Sequence, residues 1–221
     1  MPALEARLQK HIDLLLSRYP ALGGARDEIV RAYLAMQEAF ERGGKLLTAG
    51  NGGSAADSEH IVGELMKRFR LPRPLAPEFA EKLRSVDAAR GEALARSLER
   101  PLTAIALTTH EALTTAFMND VGGTDACAQQ LLGFGRPGDV FLGISTSGNS
   151  ENILRAAVVA RALDMKVIGL TGRAGGKMAA LCDVIVRAPE TETFMVQEYH
   201  LPVYHCWCQM LEERFFGQDN P

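Results

Sequence analysis

A short apolar strand that runs at once into a glycine- or serine-rich turn and then a helix occurs twice in this chain, and that unit constrains its fold. Lys45-Leu46-Leu47-Thr48-Ala49-Gly50 leads into Asn51-Gly52-Gly53-Ser54, and helical spacing continues to about Phe69. Asp139 to Ser145 leads into Thr146-Ser147-Gly148-Asn149-Ser150, with a helix predicted over 151–163. Further apolar strands are read at Leu102–Leu107, Lys166–Leu170 and Val184–Ala188, and a helix over 174–181. Strands separated by helices pair in parallel through right-handed crossovers, which puts helices on both faces of the sheet. The expected fold is a three-layer α/β sandwich (αβα) with a parallel, flavodoxin-like sheet of about five strands.

Two helices precede the sheet. Apolar side chains recur at helical spacing over 3–18 (Leu4, Leu8, Ile12, Leu15) and 25–43 (Ile29, Tyr33, Met36, Phe40), where Gly43-Gly44 ends the second. A final helix over about 193–216 is rich in aromatic residues. Residues 76–100, rich in Ala, Arg and Glu with Leu83, Val86, Leu94 and Leu98 as apolar members, read as one or two inserted helices. The tripeptides Arg73-Pro74-Leu75 and Arg100-Pro101-Leu102 bracket the insert, and their likeness is read as coincidence. A chain of 221 residues that is 47% hydrophobic buries one sizeable core. A single domain over 1–221 is therefore expected: N-terminal helices over 1–44 and a core over 45–217 that carries the insert.

Charge and cysteine usage exclude several classes. Lys and Arg total 24 against 27 Asp and Glu with no basic run, which argues against a surface that tracks nucleic acid. The chain opens on an amphipathic pattern and has no run of about 18 apolar residues, so a cytoplasmic protein without membrane contact is expected. Cys127, Cys182, Cys206 and Cys208 lack paired CxxC spacing and read as reduced, mostly buried thiols.

In parallel sheets, ligands sit outside the carboxyl ends of the strands, against helix N-termini with free N–H groups. The Ser145–Ser150 loop offers four hydroxyls, an amide and a glycine before a helix, a neutral cradle suited to a phosphate monoester without Lys or Arg. A serine-rich turn with an N-cap is the plainer alternative. The Asn51–Ser54 turn can face ligand hydroxyls, while Gly50-Asn51-Gly52-Gly53 lacks the GxGxxG spacing of a dinucleotide loop. His60 and Glu64, four apart, share one face of a helix and can share one ligand. Gln197 and His205, eight apart on the last helix, can also project in one direction. Singly, each of the four also reads as an ordinary core or surface residue. His110, after the strand ending at Leu107-Thr108-Thr109, either approaches the ligand or caps a loop.

Gly50-Asn51-Gly52-Gly53-Ser54, His60 with Glu64, Gly143 to Ser150, Leu170-Thr171-Gly172 with Gly175-Gly176, and Gln197-Glu198 with His205 occur in one order over residues 25–217, outside the insert. Together they resemble the phosphoheptose isomerases of the SIS-domain family. The chain is also similar to the non-enzymatic SIS protein that associates with the initiator of chromosome replication; the acid/base residues separate the two readings, and a sugar-phosphate sensor without turnover is a third. The resemblance to the isomerases implies conversion of sedoheptulose 7-phosphate to D-glycero-D-manno-heptose 7-phosphate through an enediol, as a lipopolysaccharide precursor. It implies zinc held by His60, Glu64, Gln197 and His205, with Glu64 as the base at carbon and His205 as the partner acid/base. It assigns Asn51, Gly52, Gly53, Glu64, Gln197, Asn119 and Asp120 to the sugar, and Ser145, Thr146, Ser147 and Ser150 to the phosphate. A homotetramer with sites between protomers is implied as well, with Arg68 reaching a neighbouring subunit's site. Phe194, Met195 and the insert depart from the family's pattern, and extra interface is the first expectation for the insert.

Overall fold

Leu46–Ala49 and Val140–Ser145 are unbroken buried runs, and Lys166–Thr171 is buried from Val167 onward, as parallel pairing between two helical layers requires. The computed structural model describes residues 4–217. Ala3, where the first helix is predicted to begin, and the two ends of the 1–221 span lie outside the described residues. Strands β1 (Leu46–Ala49), β2 (Ala104–Ala106), β3 (Val140–Ser145), β4 (Lys166–Thr171) and β5 (Val184–Arg187) form one parallel sheet in the order β2-β1-β3-β4-β5. This is the doubly wound, flavodoxin-like order, whose ligand crevice opens where the winding reverses, between β1 and β3. The two polar loops follow those two strands, which pair from Leu46 opposite Val140 to Ala49 opposite Gly143.

One face of the sheet is covered by α1 (Ala6–Arg18), α2 (Arg26–Glu41), α3 (Gly53–Met66) and α9 (Thr193–Phe216), whose Ile12, Ile29, Tyr33, Leu65, Trp207 and Leu211 pack on Leu142, Ile144 and Leu170. The other face carries α7 (Ala126–Phe134) and α8 (Glu151–Ala162), through Leu131, Ile153 and Ala157 against Leu47, Phe141 and Val167. Trp207 Nε1 donates to Ile29 O at 2.9 Å and pins α9 to α2. No described helix is long and apolar enough to cross a membrane. The four thiols are free, and Cys127, Cys206 and Cys208 are buried as expected; burial pushes Cys206 up to about 12.

Several elements differ from the sequence reading. Strand β2 is shorter than Leu102–Leu107, and α3 stops at Met66 rather than near Phe69. The helix predicted over 174–181 is one 3-10 turn, Lys177–Ala180, because Gly175 and Gly176 take φ of +71° and +56°, outside the helical region. Helix α6 (Glu111–Asp120) and α7 were not expected from the sequence; none of the α6 residues is buried.

The insert is a helical hairpin, α4 (Pro77–Val86) and α5 (Ala88–Ser97), turned at Asp87, whose carboxylate accepts from Arg90 N. Its bracketing tripeptides are a matched stem rather than a coincidence. Arg100 N donates to Arg73 O at 2.8 Å, Pro74 bridges Glu99, and the Arg73 and Arg100 guanidinium groups lie 4.5 and 5.1 Å from the Phe216 ring centroid. Phe79, Val86, Leu94 and Leu98 remain exposed, so the insert's apolar spacing does not serve this chain's core.

Below the stem lies a buried ion pair. Glu212 accepts from the N–H groups of Phe69, Arg70 and Leu71 at 2.7 to 3.0 Å and from Arg73 Nε at 3.0 Å, and Arg73 Nη2 stands 2.8 Å from it. Glu212 takes the Phe69 N–H and Glu99 Oε2 takes the Arg68 N–H at 2.8 Å, so the donors that would carry α3 to Phe69 are used elsewhere. The remaining Arg73 donors go to Leu65 O and Glu64 O, the free carbonyls at the end of α3. Removing one member leaves the other charge buried and unpaired. We therefore expect Arg73→Leu or Glu212→Leu to lose roughly 3–5 kcal/mol of stability, read from urea denaturation, with the double replacement less harmful than the sum of the singles.

Candidate active site

The end of α3 and the middle of α9 bring the predicted acid/base residues together. His60 Nε2 is 3.3 Å from Glu64 Oε1 and 3.4 Å from His205 Nε2. Glu64 is largely shielded, at 15% side-chain exposure, and its other oxygen takes the exposed Lys67 ammonium at 2.9 Å. The His60 and His205 rings meet edge to face at 4.9 Å, and Phe69 closes the far side of His205 at 5.4 Å. Burial, then the neighbouring His60, hold His205 below the usual imidazole range, against the opposite pull of Glu64.

Donors 2.0–2.1 Å from a tetrahedral zinc stand about 3.3 Å apart. The two spacings at His60 Nε2 match that figure, so His60, Glu64 and His205 supply two edges of such a donor set. The third edge is open: Glu64 pairs with His60 and Lys67 and makes no ion pair with His205. Among the described residues, no group of three or more His, Cys, Asp or Glu side chains is already closed around one point. Gln197, read as the fourth ligand, lies against the first loop instead, where a Cβ on Gly53 would come within 2.6 Å of its Nε2. Gly53 is what admits that amide.

The Ser145–Ser150 loop, read from the sequence as a phosphate cradle, joins β3 to α8. Ser150 stands at the N-cap of α8, yet its hydroxyl does not cap the helix; it pairs with Ser145 Oγ at 2.9 Å. The N–H groups of Glu151 and Asn152 in the first turn are thus left for a ligand. Asn149 N reaches Ser147 Oγ at 3.1 Å, Lys177 N reaches Asn149 Oδ1 at 3.0 Å, and Gly172 N reaches Thr146 O at 2.9 Å. Gly148 has φ of +65°, and any Cβ there would collide with the Gly175 carbonyl. The Leu170–Gly176 motif is therefore the second wall of the loop.

Other predicted residues fall differently. Asn51 is engaged in a reciprocal amide pair with Asn152, at 3.0 and 2.9 Å, which ties the two loops to each other. Asn152 gave no signal in the sequence beyond its place after the loop. Gly52, with φ of +54°, is the N-cap of α3. Asn119 donates to Asp120 at 2.8 Å on exposed α6, and no contact joins either to the His60 group. Arg68 pairs at 3.1 Å with Glu99 of its own chain, at the insert stem. His110 precedes α6, and its Nδ1 lies 2.8 Å from Gln130 Oε1, which ties it to α7.

Residues 21–100 and 88–172 match the family model described as SIS domain. The phosphoheptose isomerase of Aneurinibacillus thermoaerophilus is 40% identical over 179 residues, 81% of this chain and 77% of that protein. The chain belongs to the phosphoheptose isomerase family of SIS-domain proteins. Among solved structures, phosphoheptose isomerases from Neisseria gonorrhoeae and Francisella tularensis align with TM-scores of 0.70 and 0.71 at 32% and 30% identity. Each alignment covers 96% of this chain and 100% of the other. Membership makes this chain a sugar-phosphate isomerase.

One residue outside the predicted set supports the loop that follows β4. His200, fully buried on α9, donates from Nε2 to Thr171 O at 3.2 Å and joins the helix to the end of β4 beside the phosphate loop; its Nδ1 has no partner. Burial pushes its pKa down from 6.5 to about 4. Its folded value lies below its unfolded one, so stability is full above pH 6.5 and falls as acid protonates the unfolded chain first. Between pH 7 and pH 4.5 this group alone contributes a loss of roughly 2–3 kcal/mol; a His200→Leu variant followed by urea midpoint across that range should show a correspondingly flatter profile.

Proposed function

We propose that the chain interconverts sedoheptulose 7-phosphate and D-glycero-D-manno-heptose 7-phosphate. The observation that carries this reading is the convergence of Glu64, His60 and His205, in a chain whose Ser145–Ser150 loop opens a helix N-terminus with hydroxyls around it. Its relatives carry the name phosphoheptose isomerase, and the geometry suits the chemistry. Ketose–aldose conversion moves a proton between C1 and C2 through an enediol, which needs a carboxylate at carbon and a proton carrier at oxygen. Glu64, shielded and held at the end of a helix, takes the proton at carbon after releasing Lys67. His205, whose imidazole is held below its usual range by burial, carries the proton at oxygen while its Nε2 is free of the metal.

Ser145, Thr146, Ser147, Ser150 and the first turn of α8 hold the phosphate. Gly52 and Gly53 let the sugar chain approach the backbone, and Asn51 with Asn152 sets the gap between the loops. His60, Glu64 and His205 fit zinc by donor type and by their two spacings, and Gln197 would complete two nitrogen and two oxygen donors by a side-chain turn. When bound, the metal supplies Lewis-acid stabilisation of the developing oxyanion. Within this reading the protein is a cytoplasmic homotetramer that feeds lipopolysaccharide heptose synthesis. Leu14 on α1 and Leu201 on α9, both exposed, offer apolar surface to a partner subunit, as does the bare α6 that carries Asn119 and Asp120.

The replication-initiator reading needs neither carboxylate nor metal, and the convergence of Glu64 with two imidazoles disfavours it. The test is solvent exchange: incubated with sedoheptulose 7-phosphate in deuterated water, the enzyme should place deuterium at C1 or C2 and release aldose. Glu64→Gln should lower both by ~10²–10⁴ while phosphate binding persists. Absence of exchange and of aldose in the wild-type protein removes the proposal.

A further inference from the structure

Behind His60 stands a second row of side chains that the reaction itself does not use. His60 Nδ1 lies 3.0 Å from Tyr204 Oη, and that hydroxyl donates onward to Asp57 Oδ1 at 3.2 Å. Asp57 and His60 are three apart on α3, one turn, while Tyr204 reaches in from α9, where it is 1% exposed. The Tyr204 ring also packs edge to face on both imidazoles, at 5.5 Å from His60 and 5.0 Å from His205.

The chain of hydrogen bonds has a direction. A carboxylate only accepts, so the single Tyr204 proton goes to Asp57 and the phenol oxygen is left as an acceptor. His60 must then donate from Nδ1, which leaves the lone pair of a neutral ring on Nε2. That nitrogen faces Glu64 Oε1 at 3.3 Å, a lone pair opposite a carboxylate, which is an unfavourable contact unless a cation or a proton lies between them.

We infer that Tyr204 and Asp57 are positioning residues that fix His60 as the Nδ1–H tautomer and aim its Nε2 toward the cation shared with Glu64 and His205. This inference rests on the metal assignment of the proposed function and adds to it two residues that ligate nothing. An outer partner of this kind sets ring orientation and ligand basicity, and its loss weakens metal binding by about 10- to 100-fold.

Tyr204→Phe removes one oxygen and keeps the ring that packs on both histidines. Zinc affinity, measured by competition with a chromogenic chelator, should fall about 10- to 100-fold with the thermal midpoint little changed. The metal-free protein supplies a second readout. Magic-angle-spinning NMR of ¹⁵N-histidine-labelled protein, with His60 identified by loss of its signals in His60→Gln, should show a protonated Nδ1 in the wild type and a shift toward the Nε2–H form in Tyr204→Phe. If Tyr204→Phe does not fold, Asp57→Asn is measured in the same way, since its amide can donate to the phenol and turn the Tyr204 proton toward His60. Unchanged zinc affinity in a folded variant, or an Nε2–H tautomer in the wild type, overturns the inference. Wild-type protein that binds no zinc strikes instead at the metal assignment on which the inference is built.

Discussion

The ion pair of Arg73 and Glu212 holds the site together, because it joins the two helices whose side chains must meet. Glu212 lies seven residues, about two turns, beyond His205 on α9, and Arg73 grips the last carbonyls of α3, one of them that of Glu64 itself. Both side chains are almost completely buried, at 0% and 2% exposure. Two charges in such surroundings are tolerated only when nearly every donor and acceptor is used. Here they are: the carboxylate takes three backbone N–H groups and the guanidinium, and the guanidinium takes two carbonyls and stacks on Phe216. A hydrophobic replacement of similar volume could fill the space, but it would leave the end of α3 and the following loop without partners. The separations between His60, Glu64 and His205 are in this sense set about two turns away from the chemistry.

What the sequence made legible follows from how local each signal is. Buried parallel strands read as continuous apolar runs bounded by turn residues, so β1, β3, β4 and β5 and their order with the helices were accessible. Helices α6 and α7 were missed because Ala, Thr, Gln and Gly between Glu111 and Phe134 give no clean apolar stripe; α6 buries nothing in this chain, so there was no periodicity to detect. The end of α3 was misjudged for the opposite reason. Residues 67–69 are compatible with helix, and what takes their N–H groups are two carboxylates distant in sequence, Glu99 on Arg68 and Glu212 on Phe69. The likeness of the two Arg-Pro-Leu tripeptides carried information that composition alone could not reveal, since only the folded chain brings both arginines to the Phe216 ring.

The site was legible to the same extent. His60 and Glu64 sit four apart on one helix, and helical geometry obliges them to share a face. Gln197 and His205 do not follow so simply: eight residues at 100° each leave them about 80° apart around α9, and Pro202 between them removes one backbone hydrogen bond. The structure accordingly has Gln197 against Gly53 while His205 meets His60. Tyr204 and Asp57 were invisible because a tyrosine in an apolar helix reads as core, and an aspartate in the first turns of α3 reads as a helix-start charge. Asn152 was hidden similarly, as one more polar residue at a helix beginning, until the loop opposite presented Asn51.

These differences divide the site into two mechanical parts. The Ser145–Ser150 loop is held by backbone bonds, by the Ser145–Ser150 pair and by glycines that leave no room for a side chain. The acid/base cluster is held by side chains, with a salt bridge to an exposed lysine on one oxygen of Glu64 and a single phenol behind His60. In the proposed reaction, the anion cradle fixes the phosphate end of a seven-carbon sugar and thereby brings C1 and C2 toward the more adjustable end. An enzyme that must carry a proton from one carbon to the next needs that softness at the reacting end, because the same carboxylate has to serve two positions without moving the phosphate.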